Sequence, residues 1–148
     1  MANLGGSASV EIDAPIAEVW AVLEDVMTSH EWQGGIDSMK ALEHDADGRA
    51  TLVETENDIK VRRVKTRVRF DYDGPTRLSW KQEKGDMKSV DGSWVLENLG
   101  GKRTRATYNL DIDPGRVLGL VIRGPVEAAT RAMFVGGRPG ELKRRVEG

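Results

Sequence analysis

Val64-Lys65-Thr66-Arg67-Val68-Arg69-Phe70-Asp71-Tyr72 alternates without a lapse. Val64, Thr66, Val68, Phe70 and Tyr72 fall on one side, and Lys65, Arg67, Arg69 and Asp71 on the other. A period of two marks a β-strand with one face covered and one face in water. The same rhythm continues outward in both directions. Leu78, Trp80 and Gln82 alternate with Arg77, Ser79, Lys81 and Glu83. Beyond Lys84-Gly85-Asp86, the residues Val90, Gly92, Trp94 and Leu96 alternate with Asp91, Ser93, Val95 and Glu97. Beyond Asn98-Leu99-Gly100-Gly101, Ala106, Tyr108, Leu110 and Ile112 alternate with polar neighbours, up to Asp113-Pro114-Gly115. Upstream, Met39–His44 and Ala50–Glu56 read as strands parted by Asp45-Ala46-Asp47-Gly48, with a turn at Asn57-Asp58. Ile59 and Val61 are out of phase with Val64, so the strand expected over Ile59–Tyr72 should carry a bulge near Arg62-Arg63.

The ends of the chain differ from this region. Ser7–Asp13 reads as a first strand. Asp13-Ala14-Pro15 opens a helix whose apolar stripe is Ile16, Val19, Trp20, Leu23 and Val26. His30-Glu31-Trp32 reads as a second short helical turn, ended by Gly34-Gly35. After residue 115 the pattern is helical, with Val117, Leu118, Val121 and Ile122 as one turn and Pro125 as a fresh start. Gly136-Gly137-Arg138-Pro139-Gly140 should kink or break that helix before a last turn at Leu142–Val146. The expectation is an α+β fold: a seven-stranded curved antiparallel sheet, two short helices between strands 1 and 2, and a long C-terminal helix. Only that helix can cover the apolar face of the sheet. A curved sheet gripping one helix leaves room between them.

The order of these elements resembles the START-like, or SRPBCC, helix-grip (Bet v 1-like) superfamily of lipid-binding and polyketide-cyclase-type proteins. The resemblance is carried by Ser9–Pro15 with Glu18–Leu23, by Glu31-Trp32 with a following Gly-Ile, and by Gly92–Glu97. Thr107–Pro114 and the terminal helix from Gly124-Pro125 to Leu142–Glu147 complete it. The interruption at Gly136–Gly140 departs from the family's usual longer helix. The resemblance implies a hydrophobic cavity between sheet and helix, and no particular reaction.

Composition narrows the classes. A chain of 148 residues suits one domain, residues 1–148, with a sizeable core. It has no cysteine, so disulfides, thiolate metal sites and a cysteine nucleophile are excluded. No apolar run approaches a membrane span, and the start lacks a basic–apolar leader, so a cytoplasmic protein is expected. The net charge of −2 hides a split: residues 1–58 carry thirteen acidic and two basic side chains, and the rest carry eleven and twenty. No phosphate-binding glycine loop and no nucleophile elbow is present. Glu54, Glu56 and Asp58 alternate, but read as a solvated hairpin rather than a metal site. No cofactor and no metal is expected, and no feature sets an oligomeric state.

The candidate ligand contacts are Trp32, Met39, Phe70, Trp80, Gln82, Trp94, Tyr108 and Met133. Phe70, Trp80, Trp94 and Tyr108 share the inner face with Tyr72 and are either cavity wall or ordinary core. Gln82 either orients a ligand's polar end or sits at the sheet edge in water. Trp32 is either a gate or a staple for its helix. Met39 and Met133 either adapt the cavity to its ligand or simply pack. Gly136-Gly137 is either a hinge or a loop between helices. His30 has no carboxylate or nucleophile partner by spacing, and no catalytic residue is assigned. The reading is a protein that holds a hydrophobic or aromatic small molecule, such as a lipid, quinone or polyketide-like compound. A polyketide cyclase or dehydratase is the alternative. A further one is an interaction module using the basic outer stripe of Lys65, Arg67, Arg69, Arg77, Lys81, Arg103 and Arg105. Cross-strand salt bridges account for that stripe, and no nucleic-acid partner is expected.

Overall fold

The computed structural model describes residues 4–59 and 62–148. Seven strands form one antiparallel sheet: β1 (Leu4–Ile12), β2 (Ile36–His44), β3 (Ala50–Asp58), β4 (Arg63–Asp73), β5 (Arg77–Gly85), β6 (Ser89–Gly100) and β7 (Arg103–Asp113). The spatial order is β1-β7-β6-β5-β4-β3-β2. β2 through β7 are thus a meander of hairpins, and β1 closes against the last of them. The alternation decides which side faces in. Val64, Thr66 and Val68 are buried while Lys65 and Arg67 are exposed.

Between β1 and β2 lie α1 (Ile16–Glu24) and a 3₁₀ helix (Val26–Glu31). Pro15 precedes the first helical residue, and Val19, Trp20 and Leu23 are buried below it. Thr104 of β7 is fully buried and donates its hydroxyl to the Ala14 carbonyl at 2.8 Å, fixing where the chain leaves the sheet. Trp20 lies against Gly74, where any side chain would collide with the indole.

Three boundaries differ from expectation. Asn57 and Asp58 remain in β3, where Asp58 pairs with Arg63. The strand expected from Ile59 therefore starts at Arg63, and its register shift lies between Arg67 and Val68, not at Arg62-Arg63. Val61 of the expected strand lies outside the described residues. The third difference is the C-terminal helix. After α2 (Gly115–Val121), α3 (Pro125–Arg131) passes through a π turn (Ala132–Gly136) into α4 (Arg138–Glu147). Gly137 keeps right-handed helical angles, and its N–H donates to Ala132 five residues back at 2.8 Å. The glycines widen one turn instead of ending the helix. Pro139 follows directly on this widened turn, in the first turn of α4.

Leu142 of α4 is fully buried. It pins the end of the helical run to the core. Leu142→Ala should cost about 2–5 kcal/mol of stability, read as a lowered urea midpoint with an unchanged slope. A loss under about half a kilocalorie would show that the helix is not seated there.

Candidate functional site

The covered face of the sheet is paved with rings. Tyr72, Phe70, Trp80, Tyr108, Trp94 and Trp32 form one continuous row, with centroid separations from 4.7 Å (Trp94 to Tyr108) to 6.4 Å (Phe70 to Tyr72). All five pairs are tilted by 36° to 57°, within the geometry that aromatic quadrupoles favour. Register produces the row, since Phe70 stands opposite Trp80 and Trp94 opposite Tyr108. Gly92 stands opposite Trp80, and a Cβ there would come within 2.3 Å of the indole. A glycine inside a strand here marks the close approach of a ring.

A hollow of about 140 Å³ remains between these rings and the helical run. Phe70, Trp80, Trp94 and Tyr108 bound it from the sheet, Leu23 and Val26 from the first helices, and Phe134 and Arg138 from the C-terminal run. Met39 of β2 contributes to the rim. Its size is near that of the engineered apolar cavity of about 150 Å³ that holds benzene, and below the roughly 300–1,000 Å³ of drug-sized sites. The four large rings fill space that a larger ligand would take.

Three of the sequence candidates stand off this wall. Gln82 accepts from Thr66 Oγ1 at 2.7 Å and donates to the Met87 carbonyl at 2.9 Å, so its amide is engaged inside the sheet. Trp32 packs on Trp94, and its Nε1 is buried without a hydrogen-bond partner among the described residues. Met133 lies over Gly35, outside the wall. His30 is exposed.

The residue that sequence reasoning missed is Arg138. It is 2% exposed and forms part of the wall. Its Nη1 donates to Glu141 Oε1 at 2.9 Å and to the Gly34 carbonyl at 2.7 Å. Glu141 Oε2 accepts from the Gly34 N–H at 2.7 Å. The guanidinium carbon lies 5.0 Å from the Phe134 ring centroid. Its Nε has no partner among the described residues. Next door, Gly35 has φ +84°, and a Cβ there would approach Phe134 within 2.6 Å, so a glycine is required for the loop to receive the helix. The pair Gly34-Gly35 was visible in the sequence; the arginine it clasps was not.

Burial pushes the Tyr108 hydroxyl up, and the neighbouring Arg138 pulls against it without prevailing. Tyr72 is pushed up to about 12, again by burial, against the pull of Arg49. Its hydroxyl donates to the Ala50 carbonyl at 2.5 Å, and the Arg49 guanidinium covers its ring at 4.5 Å.

On the outer face, five of the seven side chains of the basic stripe are engaged in ion pairs. Arg67 meets Glu54 at 3.1 Å, Lys65 meets Glu56 at 3.8 Å, and Arg105 meets Glu97 at 2.9 Å. Arg69 bridges Glu43 and Glu83, and Arg103 bridges Glu11 and Asp13. Among the described residues, no cluster of three His, Asp or Glu side chains could hold a metal ion, and no helix is long and apolar enough to cross a membrane.

A family model described as polyketide cyclase / dehydrase and lipid transport matches residues 6–147. No curated protein matches the sequence. A START superfamily protein from Mycobacterium smegmatis superposes with TM-score 0.82 at 18% identity, over 99% of this chain and 98% of that one. A Thermus thermophilus protein does so with TM-score 0.77 at 16% identity, over 96% of each chain. The Zhui aromatase/cyclase from Streptomyces sp. R1128 gives TM-score 0.73 at 19% identity, over 99% of this chain and 98% of that one. At these identities the likeness is one of fold.

The chain has two tyrosines, both held neutral by burial. In the unfolded chain each ionises near pH ~10. The neutral form therefore favours the fold: that contribution is complete below about pH 10 and is lost as pH rises toward the folded values. Tyrosinate absorbance should stay absent from the native protein at about pH 10 and appear together with unfolding above it. A half-ionised tyrosine in native protein at about pH 10 would contradict this placement.

Proposed function

The chain belongs to the polyketide cyclase/dehydrase and lipid-transport family, and from that premise we propose that it binds a hydrophobic or aromatic small molecule between the sheet and the C-terminal helical run. The observation that carries this is the aromatic row facing an unfilled apolar hollow. Interiors pack to crystal-like density, so large side chains with space left between them are costly to keep. A ligand would restore the missing contacts. Lipid, quinone and polyketide-like compounds all present the flat or flexible apolar body that such a wall receives. In the state described, the hollow takes a single aromatic ring. A longer ligand requires the helical run to lift, and the π turn at Ala132–Gly136 is its least regular part.

A second reading, a polyketide cyclase or dehydratase, has one observation in its favour: a buried tyrosine and a buried arginine meet at the wall. A ketone held there would be polarised by hydrogen-bond donors, and the walls would set the fold of a reactive chain. That chemistry needs the same enlargement of the hollow.

Toluene is the simplest probe of the binding reading. Titrated into the protein, it should shift the indole N–H resonances of Trp80 and Trp94 saturably. Gly92→Val places a side chain where the Trp80 ring lies and should drive that ring into the hollow, weakening binding by about tenfold or more. A linear, unsaturable response in the parent protein would refute the reading.

A further inference from the structure

We propose that Arg138 is the anchor of this cavity, and that it receives a neutral carbonyl-type oxygen of the ligand and not a carboxylate. The inference rests on the binding reading above. Arg138 has moved almost wholly out of water, yet its Nε–H finds no acceptor among the described residues. Native proteins rarely leave a buried donor of a charged group unpaired. The only other unpaired buried side-chain atom among those residues is Trp32 Nε1, two residues from the Gly34 that Arg138 grips. Both are donors, and no buried side-chain acceptor among the described residues is left over to match them. Tyr108, in the same wall and beside Arg138, keeps its proton. Trp32 stands off the wall, so it is Arg138 and Tyr108 that line this end of the hollow and offer hydrogen-bond donors to a ligand acceptor, while Phe70 and Trp80 offer it an apolar face.

The charge of the acceptor follows from Glu141. That carboxylate already neutralises Arg138 at 2.9 Å, and its second oxygen is held by the Gly34 N–H. A ligand carboxylate would add a second anion beside Glu141 in a site with little water, where like charges repel strongly. A ketone, quinone or ester oxygen takes the spare donor without that cost. The cavity thus selects a ring system bearing a neutral oxygen at the buried end.

Three single-ring probes of similar shape separate the possibilities: isopropylbenzene, acetophenone and benzoate. Arg138→Lys keeps the charge opposite Glu141 and removes the Nε–H. Binding is followed by the indole resonances. In the parent protein acetophenone should bind at least about tenfold tighter than benzoate. In Arg138→Lys, acetophenone should weaken about tenfold while isopropylbenzene stays within about twofold. Should Arg138→Lys not fold, Arg138→Met/Glu141→Leu removes both charges together and should give the same selective loss. Equal loss of acetophenone and isopropylbenzene, or no loss of either, would overturn the anchor while leaving a binding cavity. Benzoate bound as tightly as acetophenone would overturn the neutral-oxygen assignment. If the parent protein binds none of the three, the binding reading itself fails, and the anchor with it.

Discussion

The hollow depends on how the C-terminal helix is held at its rim. A sheet with one apolar face drives its covering helix inward until side chains fill the gap. Here Arg138 and Glu141 fasten the helix to the Gly34 backbone through two hydrogen bonds of 2.7 Å each, and a third of 2.9 Å joins the two side chains to each other. Taking an ion pair out of water is expensive, and such a pair holds only when geometry is good and the remaining lone pairs are used. Glu141 meets that condition with both oxygens. Arg138 meets it except at Nε. Phe134 beneath the guanidinium and Gly35 beneath Phe134 complete the seat. The helix is thus held at a fixed height while the aromatic row stands below it.

Most of the sheet was legible because its physics is local. Val64 through Tyr72 could alternate as it does only with one face covered: Val64, Thr66 and Val68 are buried and Phe70 and Tyr72 partly so, while Lys65, Arg67 and Asp71 are exposed and Arg69 is partly covered among its ion-pair partners. Gly92 was readable as a gap in the inward pattern, and the gap belongs to Trp80. The misreadings came from interactions distant in sequence. Gln82 shares the inward parity of Trp80, but Thr66 and Met87 capture its amide. Arg138 stands in a run of glycines and a proline and was not singled out from the sequence; its partner Gly34 lies 104 residues earlier. Propensity alone predicts a kink or a break at Gly136–Gly140, and the structure has an irregular turn and no break. A π turn and the contacts of Phe134, Val135 and Leu142 with the core override that preference.

The uneven charge along the chain has a structural use. Acidic side chains of β1, β2 and β3 face basic ones of β4 and β7, so the two halves neutralise each other across the sheet: Glu54 to Arg67, Glu43 to Arg69, Glu11 to Arg103. Each exposed pair contributes little by itself. Together they give a mixed-charge outer surface, in contrast to the aromatic inner face. That inner face carries the aromatic row and one buried cation already balanced by a carboxylate.

The most direct measurement is a high-resolution crystal structure of the protein as purified, inspected between Trp80, Tyr108 and Arg138. The account predicts an open space there, or non-protein density along the rings with an atom within hydrogen-bonding distance of Arg138 Nε. A core in which those rings close on one another, with Arg138 turned to solvent, would contradict it.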